Sequence, residues 1–333
     1  MTTSLVLVVG SGRSGTSTFS GILQRLGYLV PSPEVPADDT NPRGFAESQW
    51  VVDFHTRLLA SAQVQTTDAR PSAWAETARV SGAQVERELR GFLKRQFAES
   101  DHVLIKDPRM LWFFPLWRRT AADLGVDVRS VVMLRDPAAV VASKSHNYGS
   151  FQGDVGRAAG WLNTMLYTER ATRPEQRAFI RYDDLLADWT QTVASAGERL
   201  ALDPITHANA GMIRAADAFV DGSLSRSVAS WSDVDLPDDL LAQIEDAWSL
   251  LDRLADKDTA PEGLSEQLDA ARARYIRYYA HAEAVAESSV KAAVRAAQAR
   301  RSGGLRALAR RIPNRYRRRV PDSLKRRIRS LVE

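Results

Sequence analysis

The chain contains no cysteine in its 333 residues. Disulfide staples, thiolate zinc sites, iron–sulfur ligation and cysteine nucleophiles are excluded together. Histidine is scarce: His55, His102, His146, His207 and His281 are the whole set, and no two lie within five residues of each other. The helical pair of histidines, four apart, that holds zinc in metalloproteases is therefore missing. No uninterrupted apolar stretch is long enough to span a bilayer. The apolar run Leu5–Val9 is too short for a signal peptide and has no basic segment before it. These absences predict a cytoplasmic protein that needs no metal.

What is present is globular in composition, 44% hydrophobic and 26% charged, enough to build a sizeable core. The length suggests one large domain with an appendage, or two small ones. The formal net charge of +4 hides an asymmetry. From Lys291 onward there are 15 Lys/Arg against 2 acidic residues, and the preceding body holds 30 basic against 39 acidic. An acidic body carries a basic tail.

Leu5–Val9, Val103–Ile105 and Val128–Leu134 are short apolar runs that read as buried strands, and Ala178–Tyr182 is a fourth. Phe19, Ile22, Leu23 and Leu26 recur at helical spacing before Gly27. Residues 31–48 carry four prolines and read as a long loop. The order predicts an α/β fold: a P-loop-like parallel sheet flanked by helices, with a helical C-terminal extension. Ligands of such sheets bind at the carboxyl ends of the strands. The expected divisions are an α/β domain over 1–255, a long charged helix of coiled-coil character over 256–302, and a basic amphipathic tail over 303–333.

Gly10-Ser-Gly-Arg-Ser-Gly-Thr-Ser17 follows the first strand. Its glycines let the main chain approach a ligand, its amides can form a nest, and the next helix presents its positive end. Arg13 adds a cation, and Thr16 and Ser17 add hydroxyls. Three readings stay open here. Gly10, Gly12 and Gly15 fit a dinucleotide fingerprint, but only Tyr28–Val30 remains for the second strand that it needs. A kinase P-loop wants lysine where Thr16 stands. The third reading is a loop for a phosphosulfate or a comparable anion.

A second basic motif runs Val131-Val-Met-Leu-Arg135-Asp-Pro-Ala-Ala-Val-Val-Ala-Ser143. Arg135 at a strand end can grip a phosphate bidentately, and Ser143 lies two helical turns on. Two anion sites on neighbouring strand ends suit a nucleotide with phosphates at both 5′ and 3′ positions.

With these motifs the sequence resembles the sulfotransferases that use 3′-phosphoadenosine-5′-phosphosulfate (PAPS), in the bacterial branch related to tyrosylprotein and heparan sulfotransferases. Gly12-Arg13-Ser14-Gly15-Thr16-Ser17 resembles that family's 5′-phosphosulfate loop, with Arg13 where many members have lysine. Arg135-Asp-Pro with Ser143 resembles its 3′-phosphate motif. Lys106-Asp-Pro-Arg109 and Arg181-Tyr-Asp-Asp-Leu185 resemble further segments in order and spacing. The resemblance covers residues 4–230. It implies sulfuryl transfer from PAPS to a hydroxyl or amine of a glycan, glycolipid or other small acceptor, without a metal. Arg13, Glu47 and Lys106 are the implied catalytic residues, with Glu47 as base and Lys106 at the bridging oxygen. Donor binding would fall to residues 12–17, Arg135 and Ser143, with Ser225 and Arg226 closing over the nucleotide. His55 and His146 are alternative bases, and Glu47 is equally suited to capping a helix that begins at Ser48. A Lys106–Asp107 or Arg109 ion-pair network is the structural alternative for that motif. Trp50, Trp74, Trp112 and Trp161 are candidates for an acceptor groove, although tryptophan is commonly core.

The tail repeats apolar residues from Leu305 to Leu331 every three or four positions among arginines, interrupted by Pro313 and Pro321. Binding to an anionic inner-leaflet surface is the expectation, which would make the protein peripheral on the cell membrane. Nucleic acid is disfavoured, since Tyr316 is the tail's one aromatic. Residues 262–301 offer a surface for a homo-oligomer. The competing functions are a nucleotide kinase, a dinucleotide-dependent oxidoreductase, and a non-catalytic nucleotide- or membrane-binding relative.

Overall fold

A computed structural model describes residues 3–148, 153–220, 230–256 and 263–311. Four strands, β1 (Ser4–Gly10), β2 (His102–Lys106), β3 (Asp127–Leu134) and β4 (Gln176–Arg181), form one parallel sheet in the order β2-β1-β3-β4. β1 is buried at every residue, as a central parallel strand covered on both faces must be. The four expected strands are all present, but Tyr182 leaves the fourth. It opens a helix and packs its ring against Gly15 instead.

Helices α1 (Thr16–Arg25), α2 (Gln49–Ala62), α3 (Ala73–Val80) and α4 (Ala83–Glu99) precede β2. Between β2 and β3 lies α5 (Met110–Ala122); α6 (Pro137–Tyr148) and α7 (Asp154–Thr172) separate β3 from β4. After β4 come α8 (Tyr182–Ala187), α9 (Trp189–Leu200), α10 (Asp203–Thr206), α11 (Ala210–Phe219), α12 (Asp238–Arg253) and α13 (Leu264–Arg311). Successive strand residues point to opposite faces. Val6, Val8, Leu104, Val131, Met133 and Ile180 pack on one face against Phe19, Ile22 and Leu23 of α1 and against α9 and α11. Helices α5 and α7 contact the sheet's central strands from the other face.

The proline-rich loop is folded back on itself. Val35 N–H donates to the Glu47 carbonyl (2.8 Å), and Gln49 N–H donates to the Pro33 carbonyl (2.8 Å). The Tyr28–Val30 segment supplies a single bridge, Leu29 to Val103, on the outer side of β2. Neither segment makes the second full strand of a dinucleotide fold.

Two compact units divide the chain, Met1–Ile276 and Arg277–Glu333. In the first, α13 begins with Leu264, Leu268, Ala271 and Tyr275 buried, a helical stripe anchored by Tyr275 O–H donating to the Ala69 carbonyl (2.6 Å). In the second, the helix runs through Gly303–Gly304 to Arg311, and Val285, Val290 and Val294 are exposed. The expected tail helices beyond Arg311 lie outside the described residues, as do Ser225 and Arg226.

Candidate active site

The strand order decides where a ligand can sit. The chain leaves β1 towards β2 on one side, and leaves β3 towards β4 on the other. The crevice between the carboxyl ends of β1 and β3 is therefore the switch point of the sheet, where α/β folds bind ligands. The glycine-rich loop leaves β1 at this point, and Arg135 leaves β3.

Gly10 ends β1 at φ 136°, where a Cβ would stand 2.7 Å from the Met133 carbonyl oxygen of β3. Only glycine lets the two strand ends run this close. Gly15 caps α1 at φ 82°, and a Cβ there would meet the Tyr182 ring at 2.1 Å. No side chain caps α1 and no acid occupies its first turn, so its positive end is left to the loop. Arg13 holds a left-handed φ of 76° without being glycine, a conformation that costs about 1 kcal/mol or more and clusters at functional sites. Ser14 is buried, and its Oγ has no hydrogen-bond partner among the described residues.

Arg135 and Ser143 both reach this loop. Arg135 donates to the Arg13 carbonyl (2.9 Å) and lies 5.1 Å from the centre of the Tyr182 ring. Arg13 Nε donates to Ser143 Oγ (3.0 Å), and its Nη1 donates to the Thr40 carbonyl (3.3 Å). The two basic motifs are thus one cluster across the switch point.

The motifs Lys106-Asp107-Pro108 and Arg135-Asp136-Pro137 share a local logic. In each, a cation stands at or just beyond a strand end and Asp-Pro follows, opening α6 directly at Pro137 and leading through Arg109 into α5. Asp136 Oδ1 accepts from Ala139 N–H (3.0 Å), and Asp107 Oδ1 accepts from Arg109 N–H (2.7 Å). Lys106 is then aimed at the loop. It donates to Ser17 Oγ (2.9 Å) and pairs with Glu47 Oε1. Lys106 and Glu47 are both buried. Of the alternative ion-pair network, the Asp107–Arg109 pair is present and the Lys106–Asp107 pair is not. Asp107 is held by Arg109 (2.9 Å) and also by His55 (3.1 Å).

Glu47 is brought to Lys106 by the closed loop, directly after Ala46 at φ 50°. Its side chain does not cap α2. Burial drives its pKa above the ordinary carboxylate range, Lys106 opposes this, and the Asp107 carboxylate adds to the rise. A carboxylate held in this way is a stronger base than one in water.

His55 is fully buried and both ring nitrogens are engaged. Trp117 Nε1–H donates to His55 Nε2 (2.8 Å). Indole can only donate, so the ring's proton sits on Nδ1 and goes to Asp107. That leaves His55 no role as a base. For Asp107, burial acts to raise the pKa, but the bond from His55 and the Arg109 cation more than offset it. His146 lies exposed on α6. Trp112 and Trp161 are core, Trp50 stacks on Phe92 at 3.9 Å, and Trp74 stacks on Tyr167.

Over residues 6–206 the chain matches the model of the sulfotransferase family. The chain belongs to that family. Its catalogue of motifs thereby acquires a common chemistry, sulfuryl transfer, and the protein is a transferase. Among solved structures the sulfotransferase is similar to the "Sulfotransferase Domain from the Synechococcus PCC 7002 Olefin Synthase", at 15% identity and a TM-score of 0.41, over 82% of this chain and 94% of that one. At that distance the likeness carries no argument. No curated protein sequence matches the sulfotransferase. Among its described residues no group of three His, Asp or Glu is placed to hold a metal ion, and no helix is long and apolar enough to cross a membrane.

One buried cation of the cluster belongs to none of the motifs. Lys144 follows Ser143 and donates to Ser11 Oγ (3.0 Å) and Thr67 Oγ1 (3.2 Å). In the sequence it stands four residues after Val140 and three after Val141, on the stripe that α6 buries.

Proposed function

We propose that this sulfotransferase uses PAPS as donor and an acceptor hydroxyl or amine, with Glu47 as general base. The observation that carries the reading is the convergence of Arg13, Lys106, Glu47, Arg135 and Ser143 on one glycine loop at the switch point of the sheet. The uncapped start of α1 and the orphaned Ser14 hydroxyl suit a bound anionic group. When bound, PAPS supplies an activated sulfuryl group on its 5′-phosphate.

Glu47 accepts the acceptor's proton as the acceptor oxygen or nitrogen bonds to sulfur and the bond from sulfur to the phosphate oxygen breaks. Arg13 and the loop amides stabilise the sulfuryl oxygens and the departing phosphate charge. Lys106 has three hydrogens to donate; two are given to Ser17 and Glu47, and the third serves the bridging oxygen. Arg135 and Ser143 hold the 3′-phosphate. As in phosphoryl transfer, positioning and electrostatics supply most of the rate, and no metal is needed. Ser225 and Arg226 complete the donor site by the same family logic. A glycan or lipid-linked acceptor fits a protein whose basic tail, with 15 Lys/Arg after residue 290, is drawn to an anionic inner-leaflet surface. The 1–255, 256–302 and 303–333 division then separates catalysis, pairing with a second copy, and membrane contact.

The test is transfer of labelled sulfate from PAPS, or its hydrolysis without acceptor, by the wild type and by Glu47→Gln. Product with PAPS that Glu47→Gln reduces by about 10²-fold or more supports the reading. Phosphoryl transfer from ATP and none from PAPS contradicts it.

A further inference from the structure

Lys144 is a buried ammonium whose partners are two hydroxyls. Its side chain lies on α6 inside the body, and among the described residues only Ser11 and Thr67 accept from it. Among the described residues no carboxylate pairs with it. Burying a cation without an opposite charge is among the least favourable arrangements a fold can hold, and three hydrogens shared between two acceptors leave one over.

Its surroundings show why no acid of the protein answers it. From α7, Arg157 faces it with a like charge. Asp154 is bound by Arg157 (2.7 Å) and by Ser145 (2.5 Å). On the loop that carries Thr67, Asp68 is held by Arg70 (2.7 Å). From the glycine loop comes Ser11 alone, two residues before Arg13 and three before the unpartnered Ser14 hydroxyl. Among the described residues, the element near Lys144 that is built to receive negative charge is the glycine loop.

We propose that Lys144 is a further cation of the donor site, a positioning residue that orients Ser11 and whose charge is balanced by the donor's 5′ anionic group. The inference rests on the donor reading above and adds a residue to it. In the free protein, burial and then Arg157 lower the Lys144 pKa to about 8. An anion on the loop favours the charged amine and raises that pKa. Donor binding is therefore coupled to proton uptake between pH 8 and the ordinary lysine range.

The probe is adenosine 3′,5′-bisphosphate, titrated calorimetrically at pH 8.5 in two amine buffers of different ionisation enthalpy. Its phosphates are fully ionised there, so any proton taken up goes to the protein. The wild type is expected to take up about half a proton or more per ligand bound. Lys144→Met is expected to take up none and to bind at least about tenfold more weakly. Lys144→Gln keeps a donor for Ser11 without the charge and is expected to behave like Lys144→Met.

Thermal unfolding separates this from a structural role. Free Lys144→Met should melt at or above the wild-type temperature, because an unbalanced buried charge has been removed, and should gain less from the bisphosphate. Wild-type binding without proton uptake, or uptake and affinity unchanged in both variants, overturns the proposal. So does a free Lys144→Met that melts lower while binding as tightly as the wild type. If the wild type does not bind the bisphosphate, the donor reading itself fails, and the inference falls with it.

Discussion

At Glu47 two effects of similar kind compete over one carboxylate: burial favours the protonated form and the Lys106 ammonium favours the ionised form. Burial prevails, so the folded pKa lies above the unfolded one. A group raised in this way supports the fold below its unfolded pKa and loses that contribution as pH rises through the folded value. Catalysis runs the other way, since the base must be ionised. The rate of transfer is therefore expected to climb with pH across an apparent pKa above the usual glutamate range. Glu47→Gln should flatten that limb, lower kcat by about 10²–10⁴-fold and leave bisphosphate affinity within about threefold. A pH–rate profile unchanged in Glu47→Gln would remove it as the base. Glu47 was legible only through the family resemblance, because nothing in Asn41–Glu47 shows that the loop closes onto Lys106. Lys144 is legible from helical spacing, since it shares the buried stripe of α6 with Val140 and Val141, but no motif contains it.

At the scale of elements, the helices and strands around the site are held by contacts that tolerate little change. Gly15 sits between the loop and α1 with the Tyr182 ring against it. Gly15→Ala must strain the backbone and displace that ring, a cost of about 2–4 kcal/mol by the usual overpacking and left-handed penalties. Urea unfolding should show that loss, and bisphosphate binding should weaken with it, because Arg135 lies over the same ring. Full stability in Gly15→Ala would mean that the loop and α8 are not packed as described. His55 joins α2, β2 and α5 through Asp107 and Trp117. Replacing it with leucine leaves a buried carboxylate short of a donor and should cost at least about 2 kcal/mol, without moving the acid limb set by Glu47. An unaltered melting temperature in His55→Leu would contradict this. The strands were legible as short apolar runs and the long loop from its prolines. The loop's closure was not, since it is set by backbone hydrogen bonds between residues more than ten apart, such as Val35 and Glu47, and single-residue patterns do not encode those.

Over the whole molecule, charge is segregated: the acidic excess lies before residue 291 and the basic excess after it. The proposed membrane contact predicts binding to anionic vesicles and not to neutral ones, falling steeply as ionic strength rises towards about 0.5 M. Replacing Arg317, Arg318 and Arg319 by glutamine should weaken that binding several-fold and leave turnover of a soluble acceptor unchanged. Equal binding to neutral vesicles would set the electrostatic account aside. The parallel sheet and its switch point bring together residues from Gly10 to Ser143, and this long-range convergence is what the central claim rests on. It is tested most directly by titrating the wild type and Arg135→Ala with adenosine 3′,5′-bisphosphate at neutral pH, with ATP and NAD as competitors. The account predicts micromolar binding of the bisphosphate in preference to the other two, weakened about tenfold or more by Arg135→Ala. Binding of ATP or NAD instead, or a bisphosphate affinity indifferent to Arg135, would contradict it.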